Sequence, residues 1–133
     1  MAEKTYEPTE AELEILQLIW ELEPVSVRDV YDRIAASKEV GYTTVLKQIQ
    51  RLTEKGVLTK DDTQATHLYS AAVREAQVKQ QLAGKMLQTA FGGSAVQMMM
   101  HALGQSKSSP GDLQELKAWL DQQIDQQKND KSA

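Results

Sequence analysis

The stretch TTVLKQIQRLTEKG, residues 43–56, is the most informative part of the chain. At about 100° per residue in a helix, its apolar and polar residues gather on opposite sides. The apolar side holds Val45, Leu46, Ile49 and Leu52, and the polar side holds Thr43, Thr44, Lys47, Gln50 and Arg51. Gly56 predicts the end of this helix, because glycine tolerates the left-handed backbone conformation that commonly follows one.

The polar side of this predicted helix carries hydroxyl, amide and cationic groups, and no carboxylate before Glu54. Such groups can donate hydrogen bonds to phosphates and guanine edges, and Gln and Thr can read adenine edges or thymine methyl groups. A solvated helix face in an acidic protein would ordinarily include Asp or Glu. The pattern therefore favours a helix that contacts DNA.

Charge is unevenly distributed along the chain. The 133 residues carry a formal net charge of −4, which argues against a protein that coats nucleic acid in bulk. Residues 3–23 hold seven Glu against one Lys, whereas residues 24–60 hold seven cations against four acids, a net of +3. This distribution predicts modest sequence-independent DNA binding, with affinity that depends on specific contacts and dimerisation.

Composition excludes several classes of function. The absence of cysteine removes disulfides, thiolate metal sites and cysteine nucleophiles, and it fits a cytoplasmic protein. No apolar run approaches the roughly 20 residues that cross a bilayer, and residues 1–10 do not resemble a signal peptide, so we expect no membrane insertion. His67 and His101 lie on different predicted elements without a carboxylate or nucleophile at a diagnostic spacing. We therefore predict no enzyme, no catalytic residues, no metal site and no cofactor.

The N-terminal part of the chain predicts a winged helix-turn-helix. Two amphipathic helices begin after Thr9 and Ser26, each with an acid three residues further on that suits a capped helix start. After Gly56, the segments VLTK, DDTQ and ATHLYS are typical of a strand, a polar tip and a second strand. Three helices plus a β-hairpin wing, in this order, form a winged helix. The predicted fold is mainly α, with this DNA-binding domain over residues 1–72.

Residues 73–133 predict a helical dimerisation domain. Apolar residues recur at helical spacing through residues 73–103 and again after Ser109-Pro110, and the tail QQKNDKSA is expected to fray. Because these helices are few and one-sided, a second copy is the expected partner for their apolar stripes. The residues expected to lose water there are Leu82, Met86, Leu116 and Leu120. Packing onto the winged helix of the same chain is the alternative.

The predicted wing tip, Asp61-Asp62-Thr63-Gln64, is unusual for a wing that follows DNA. Two carboxylates there would repel phosphate. Either the tip stays clear of DNA, or only Thr63, Gln64 and Thr66 approach it.

Three segments of the chain resemble the penicillinase-repressor family of the BlaI/MecI type: PTEAELEILQLIWELEPVSVRDVYDRI, YTTVLKQIQRLTEKGVL and LYSAAVRE. The resemblance covers nearly the whole chain and is strongest in residues 8–75. It implies a dimeric transcriptional repressor on a palindromic, inverted-repeat operator, with the third helix in the major groove. Carried onto this sequence, the DNA-contacting residues are Thr43, Thr44, Lys47, Gln48 and Arg51.

Two departures from the family concern regulation. Copper-responsive members carry a C-terminal cysteine cluster, which this chain lacks. In members that control β-lactamase, a sensor protease cuts an Asn-Phe bond, and the aligned pair here is His101-Ala102. The resemblance implies a sensor protease or another inducing protein as a partner, while this substitution favours induction by a route other than that cut.

A winged helix can also serve protein–protein contact without DNA. The acidic first helix and the two Asp of the wing tip favour that alternative function, whereas the polar side of the third helix favours a DNA-binding repressor. We take the repressor as the first hypothesis.

Overall fold

The computed structural model describes residues 6–105 and 107–131, which form six helices and a two-stranded sheet. The helices are α1 (Glu10–Leu22), α2 (Val27–Ala35), α3 (Tyr42–Glu54), α4 (Glu75–Phe91), α5 (Ala95–Gln105) and α6 (Pro110–Lys131), and the strands are β1 (Leu58–Asp61) and β2 (Leu68–Ala71). This order confirms the predicted winged helix-turn-helix followed by further helices. None of the described helices combines the length and apolar content needed to cross a membrane.

Side-chain caps start the first two helices where the sequence predicts them. The Thr9 hydroxyl accepts the Glu12 N–H at 3.2 Å, and the Glu12 carboxylate accepts the Thr9 N–H at 2.9 Å. This reciprocal pair is a capping box, which satisfies two backbone donors that a helix start leaves unpaired. At α2, the Ser26 hydroxyl accepts the Asp29 N–H at 3.1 Å.

The end of α3 depends on Gly56, whose φ is +82°. The Gly56 N–H donates to the Thr53 carbonyl at 3.0 Å, and the Val57 N–H donates to the Leu52 carbonyl at 2.9 Å. These two bonds form a Schellman motif, in which the left-handed residue pairs the last carbonyls of the helix and turns the chain. Both Leu52 and Val57 are buried, so the same turn leads the chain back into the core and on to β1.

The core of the winged helix lies between α1, α2, α3 and the hairpin. Its buried members are Ile15, Leu16, Ile19, Val25, Val27, Val30, Ile34, Val45, Ile49, Leu52, Val57, Leu58 and Tyr69. From α3, Val45, Ile49 and Leu52 are all 0% exposed. Burying each such side chain is worth roughly 1.5–3 kcal/mol, so the apolar stripe alone fixes which side of α3 faces inward.

Main-chain and side-chain hydrogen bonds attach the wing to the helical core. β1 and β2 pair antiparallel, and Val25, between α1 and α2, adds a bridge to Tyr69. The Val25 N–H donates to the Tyr69 carbonyl at 3.0 Å, and the Tyr69 N–H donates to the Val25 carbonyl at 2.8 Å. Just beyond β2, the Trp20 indole N–H donates to the Val73 carbonyl at 3.1 Å. The base of the hairpin is therefore held in place relative to α1.

The chain divides into two compact units between Lys85 and Met86, inside α4. The boundary that the sequence predicts between residues 72 and 73 separates a DNA-binding domain from a dimerisation domain. It is a division by function and stays a prediction. α6 continues to Lys131 and so includes residues 126–131 of the tail that the sequence predicts to fray. Gln and Lys, which are common there, have favourable helix propensity; residues 132–133 of that tail lie outside the described residues.

The backbone at Gly56 gives a stability prediction. Gly56→Ala should destabilise the fold by about 1 kcal/mol, because an L-residue pays roughly that much in the left-handed region although nothing lies within 4 Å of the added Cβ. The control is Gly84→Ala in α4, also open around its Cβ, which should stabilise by about 0.5–1 kcal/mol because its backbone is helical. Urea unfolding followed by circular dichroism measures both. Equal effects of the two substitutions would contradict the argument.

Candidate nucleic-acid interface

The polar side of α3 is exposed over most of its length. Thr43, Thr44, Lys47 and Arg51 are all exposed, and the first carboxylate along this side is Glu54. At the other end, the cap position Gly41 supplies no side-chain hydrogen bond, and the first turn of α3 contains no acid. Unpaired backbone N–H groups and the positive end of the helix dipole therefore remain available to an anion there.

The structure separates two glutamines that the sequence places near this face. Gln50, which helical periodicity puts on the polar side, is exposed. Gln48, which enters through the family resemblance, is half-buried at the edge of the same helix. Periodicity along α3 is thus enough to identify Gln50 as an outward residue.

A groove of about 650 Å³ lies between α3, the start of α2 and the wing. Gln50 lines it from α3, Arg28 from α2, and Lys60, Thr66 and His67 from the wing. The lining holds two cations, Arg28 and Lys60, and one carboxylate, Glu54, and Arg28 is paired with Asp32 at 3.3 Å. Lys60 thus extends the cationic, hydrogen-bonding character of α3 onto the wing. Sequence reasoning missed Arg28 and Lys60 because only the fold brings them to α3.

Lys60 and Asp61, two successive residues of β1, lie on opposite faces of the hairpin. Lys60 pairs with Tyr69 and Asp61 pairs with Leu68, and successive residues of a strand point to opposite faces. Asp61 accepts the Thr63 hydroxyl at 2.7 Å and the Thr63 N–H at 3.0 Å. These hydrogen bonds hold the pKa of the Asp61 carboxyl below its usual value, and the bond from the Thr63 hydroxyl has the larger effect. Asp61 therefore builds the turn at the wing tip on the face away from Lys60.

Tyr42, the first residue of α3, is 40% exposed and is the only exposed large hydrophobic residue described between 6 and 85. Its ring meets that of Tyr31 edge-on, with centroids 5.5 Å apart and an interplanar angle of 73°. The Arg28 guanidinium lies 5.8 Å from the centroid of the Tyr31 ring. This packing holds an aromatic surface at the start of the polar face, next to Thr43. In the sequence, the sign of this aromatic surface is the tyrosine at the first position of the third helix.

The two histidines lie far apart in the sequence and in different settings. His67 is exposed on the wing and lines the groove. His101 lies inside α5, so the pair His101-Ala102 is helical. The His101 ring lies 5.5 Å from the Phe91 ring and is tilted 45° against it. Within residues 6–105 and 107–131, no three His, Asp or Glu side chains gather as a metal site would require.

In the second unit, α5 and α6 both expose large apolar residues. On α5 these are Val96, Met99, Met100 and Leu103, and on α6 they are Leu113, Trp119, Leu120 and Ile124, each between 37% and 70% exposed. Of the predicted interface residues, Leu82 and Leu116 are half-buried, whereas Met86 and Leu120 are 50% and 46% exposed. No side chain described after residue 85 is buried. We call these eight residues the α5–α6 apolar surface.

A winged helix-turn-helix whose third helix presents a carboxylate-poor polar face is typical of DNA-binding transcription regulators. The family model of the penicillinase repressors matches residues 8–122, and the chain belongs to that family.

Two relatives match over most of their length. The penicillinase repressor of Staphylococcus aureus is 25% identical over 117 residues, which cover 88% of this chain and 93% of that protein. The methicillin resistance regulatory protein MecI of S. aureus strain N315 is 23% identical over 117 residues, covering 88% and 95%. The solution structure of the DNA-binding domain of the repressor BlaI, 21% identical, aligns with a TM-score of 0.50 over 57% of this chain and 93% of that domain. These matches confirm the family and the winged-helix fold.

The position of Lys60 gives a prediction for the wing. Lys60→Gln should weaken binding equally for all duplex sequences and lower the slope of log affinity against log salt by about 0.9, the loss of one phosphate contact. Salt titrations by fluorescence anisotropy with two unrelated duplexes measure this. The control is Lys117→Gln on α6, whose ammonium pairs with Asp121 at 3.3 Å and which should leave both quantities unchanged. An unaltered slope for Lys60→Gln would show that the wing stays clear of the DNA backbone.

Proposed function

We propose that the protein is a homodimeric transcriptional repressor that binds an inverted-repeat operator with α3 of each copy in successive major grooves. The observation that carries the proposal is the exposed, carboxylate-free polar side of α3 from Thr43 to Arg51. The major groove, about 12 Å wide, admits a helix of this kind. Because a repressor of this kind acts on chromosomal DNA, we place the protein in the cytoplasm.

Each outward residue of α3 has a distinct proposed role. Thr43 and Thr44, in the first turn, suit hydrogen bonds or methyl contacts with base edges. Lys47 and Arg51 are one turn apart, so both reach the same groove, with Lys47 nearer the bases and Arg51 nearer the phosphates. Gln50, on the side of α3 that lines the groove beside the wing, is a further proposed DNA contact. Gln48 contacts DNA from the half-buried edge of α3.

Substitution of Lys47 tests the base contact. Lys47→Ala should weaken operator binding by about 1–3 kcal/mol and relax preference at one base position, while Arg51→Ala should weaken all sequences alike. The matched control is Lys79→Ala, another exposed helical lysine, paired with Glu75 at 2.6 Å. Affinities are measured on a duplex that the wild-type protein selects from a random pool and on a scrambled version of it. Equal affinity of the wild type for both duplexes would instead favour a winged helix that binds another protein.

The α5–α6 apolar surface supports the proposed homodimer. No side chain described after residue 85 is buried, so the apolar residues of the second unit stay in contact with water in a single copy. A second copy offers the same residues, so that each apolar side chain is present twice and is covered by the partner across a two-fold axis. Operator affinity then depends on two linked half-sites, and an inducing protein that separates the copies would lower operator occupancy sharply. A sensor protease, which the family resemblance implies, would be one such partner.

Leu116, a predicted interface residue on the same side of α6 as Leu113 and Leu120, provides the test of the dimer. Leu116→Asp would place an unpaired charge in the interface, so we expect monomers or an unfolded second unit by sedimentation, and a loss of operator binding. Gln122→Asp, on the same helix but about 120° further round from Leu116, is the control and should stay dimeric. The N-terminal unit should keep its cooperative unfolding transition in both variants. A fully dimeric Leu116→Asp protein would contradict the assignment.

A further inference from the structure

Glu12 is the only charged residue that is buried among those whose burial the structure describes, with 8% of its surface exposed. Its two carboxylate oxygens serve different elements. Oε1 accepts the Thr9 N–H at 2.9 Å at the start of α1, and Oε2 accepts the Lys55 ammonium at 3.0 Å at the end of α3. One side chain therefore joins the start of α1 to the end of α3, and Glu12 and Lys55 are 43 residues apart in the sequence.

The surroundings keep this carboxylate charged. Burial alone would raise the pKa of the Glu12 carboxyl, but the hydrogen bonds from Thr9 and the charge of Lys55 outweigh it and hold the pKa below its usual value. Burial and the Glu12 charge raise the pKa of the Tyr6 hydroxyl, which is buried without a well-formed hydrogen bond to any described residue. Glu12 thus stays ionised and Tyr6 neutral at ordinary pH.

The ion pair supplies a directional contact where the other contacts of α3 are apolar. Apolar burial is not directional, so Val45, Ile49 and Leu52 fix the rotation of α3 more firmly than its position along its own axis. A charged hydrogen bond has a preferred length and angle. Anchored at Lys55, α3 can shift along α1 only as far as the flexible lysine stem follows. A larger shift breaks the bond and leaves the buried Glu12 carboxylate without its cation.

Position along the axis decides where α3 meets DNA. A helix rises about 1.5 Å per residue, so Arg51 lies about 6 Å and Lys47 about 12 Å from the anchored residue along the axis. Lys55 carries the third cation of this helix but turns it towards α1. Of the three cations, only Lys47 and Arg51 are left for DNA.

We propose that Glu12 is a positioning residue for DNA recognition: by holding Lys55, it sets the axial position of α3 relative to α1. The bases that Lys47 and Arg51 can reach follow from that position. This inference rests on the proposed function, in which α3 reads the operator.

Glu12→Gln isolates the ion pair from the helix cap. Glutamine at this position retains the capping box but has no charge to hold Lys55. The control is Glu14→Gln on the same helix, which removes an exposed ion pair with Lys38 of 2.7 Å. Full-length variants are titrated, at a temperature where circular dichroism shows them folded, against the duplex selected by the wild type and against its scrambled version. The readout is the ratio of the two affinities, which a change in folded fraction alone would not move.

We expect Glu12→Gln to lower this ratio about tenfold, equivalent to about 1.4 kcal/mol, with the scrambled duplex bound as before. Glu14→Gln should leave the ratio unchanged. Should Glu12→Gln fold poorly, Lys55→Met and Lys55→Arg make the same comparison from the other partner, since arginine keeps the pair and methionine does not.

Three results decide between the outcomes. A lowered ratio in Glu12→Gln or Lys55→Met, restored in Lys55→Arg, supports the positioning role. A wild-type ratio retained in folded Lys55→Met overturns this role and leaves the proposed function standing. A wild-type protein with no preference for any duplex overturns the proposed function and this inference together.

Discussion

The apolar stripe of α3 is the constraint on which the rest of the winged helix depends. Val45, Ile49 and Leu52 are completely buried, and this fixes the rotation of the helix against α1 and α2. Once the rotation of α3 is set, Lys47 and Arg51 necessarily point away from the core, towards solvent. A change in the stripe would therefore alter DNA recognition as well as stability, because the same helix forms part of the core and the proposed contact surface.

Directional contacts complete what apolar packing begins. The Schellman turn at Gly56 ends α3, the Glu12–Lys55 pair holds that end to α1, and the Val25–Tyr69 bridge holds the hairpin to the helices. These contacts each have defined lengths and angles, which apolar contacts lack. They place the wing beside α3 and leave a groove with cations on both sides.

The two units of the chain differ in how they bury apolar surface. The first has a closed core, whereas no side chain described beyond residue 85 is buried and large apolar residues such as Trp119 are half exposed. Apolar area in contact with water is the main driving force for association. The proposed repressor would thus couple its assembly to its function, since two copies are needed both to cover this surface and to engage two half-sites.

The sequence by itself determined the helix order, the caps at Thr9 and Ser26, the end at Gly56 and the outward residues of α3. These features depend on residues three to six positions apart, whose interactions a linear pattern preserves. Only the tertiary structure decided that Glu12 meets Lys55, that Lys60 and Asp61 occupy opposite sides of a wing held beside α3, and that Gln48 is half-buried. The Glu12–Lys55 contact spans 43 positions. Such contacts follow from the packing of whole elements, which local periodicity does not encode.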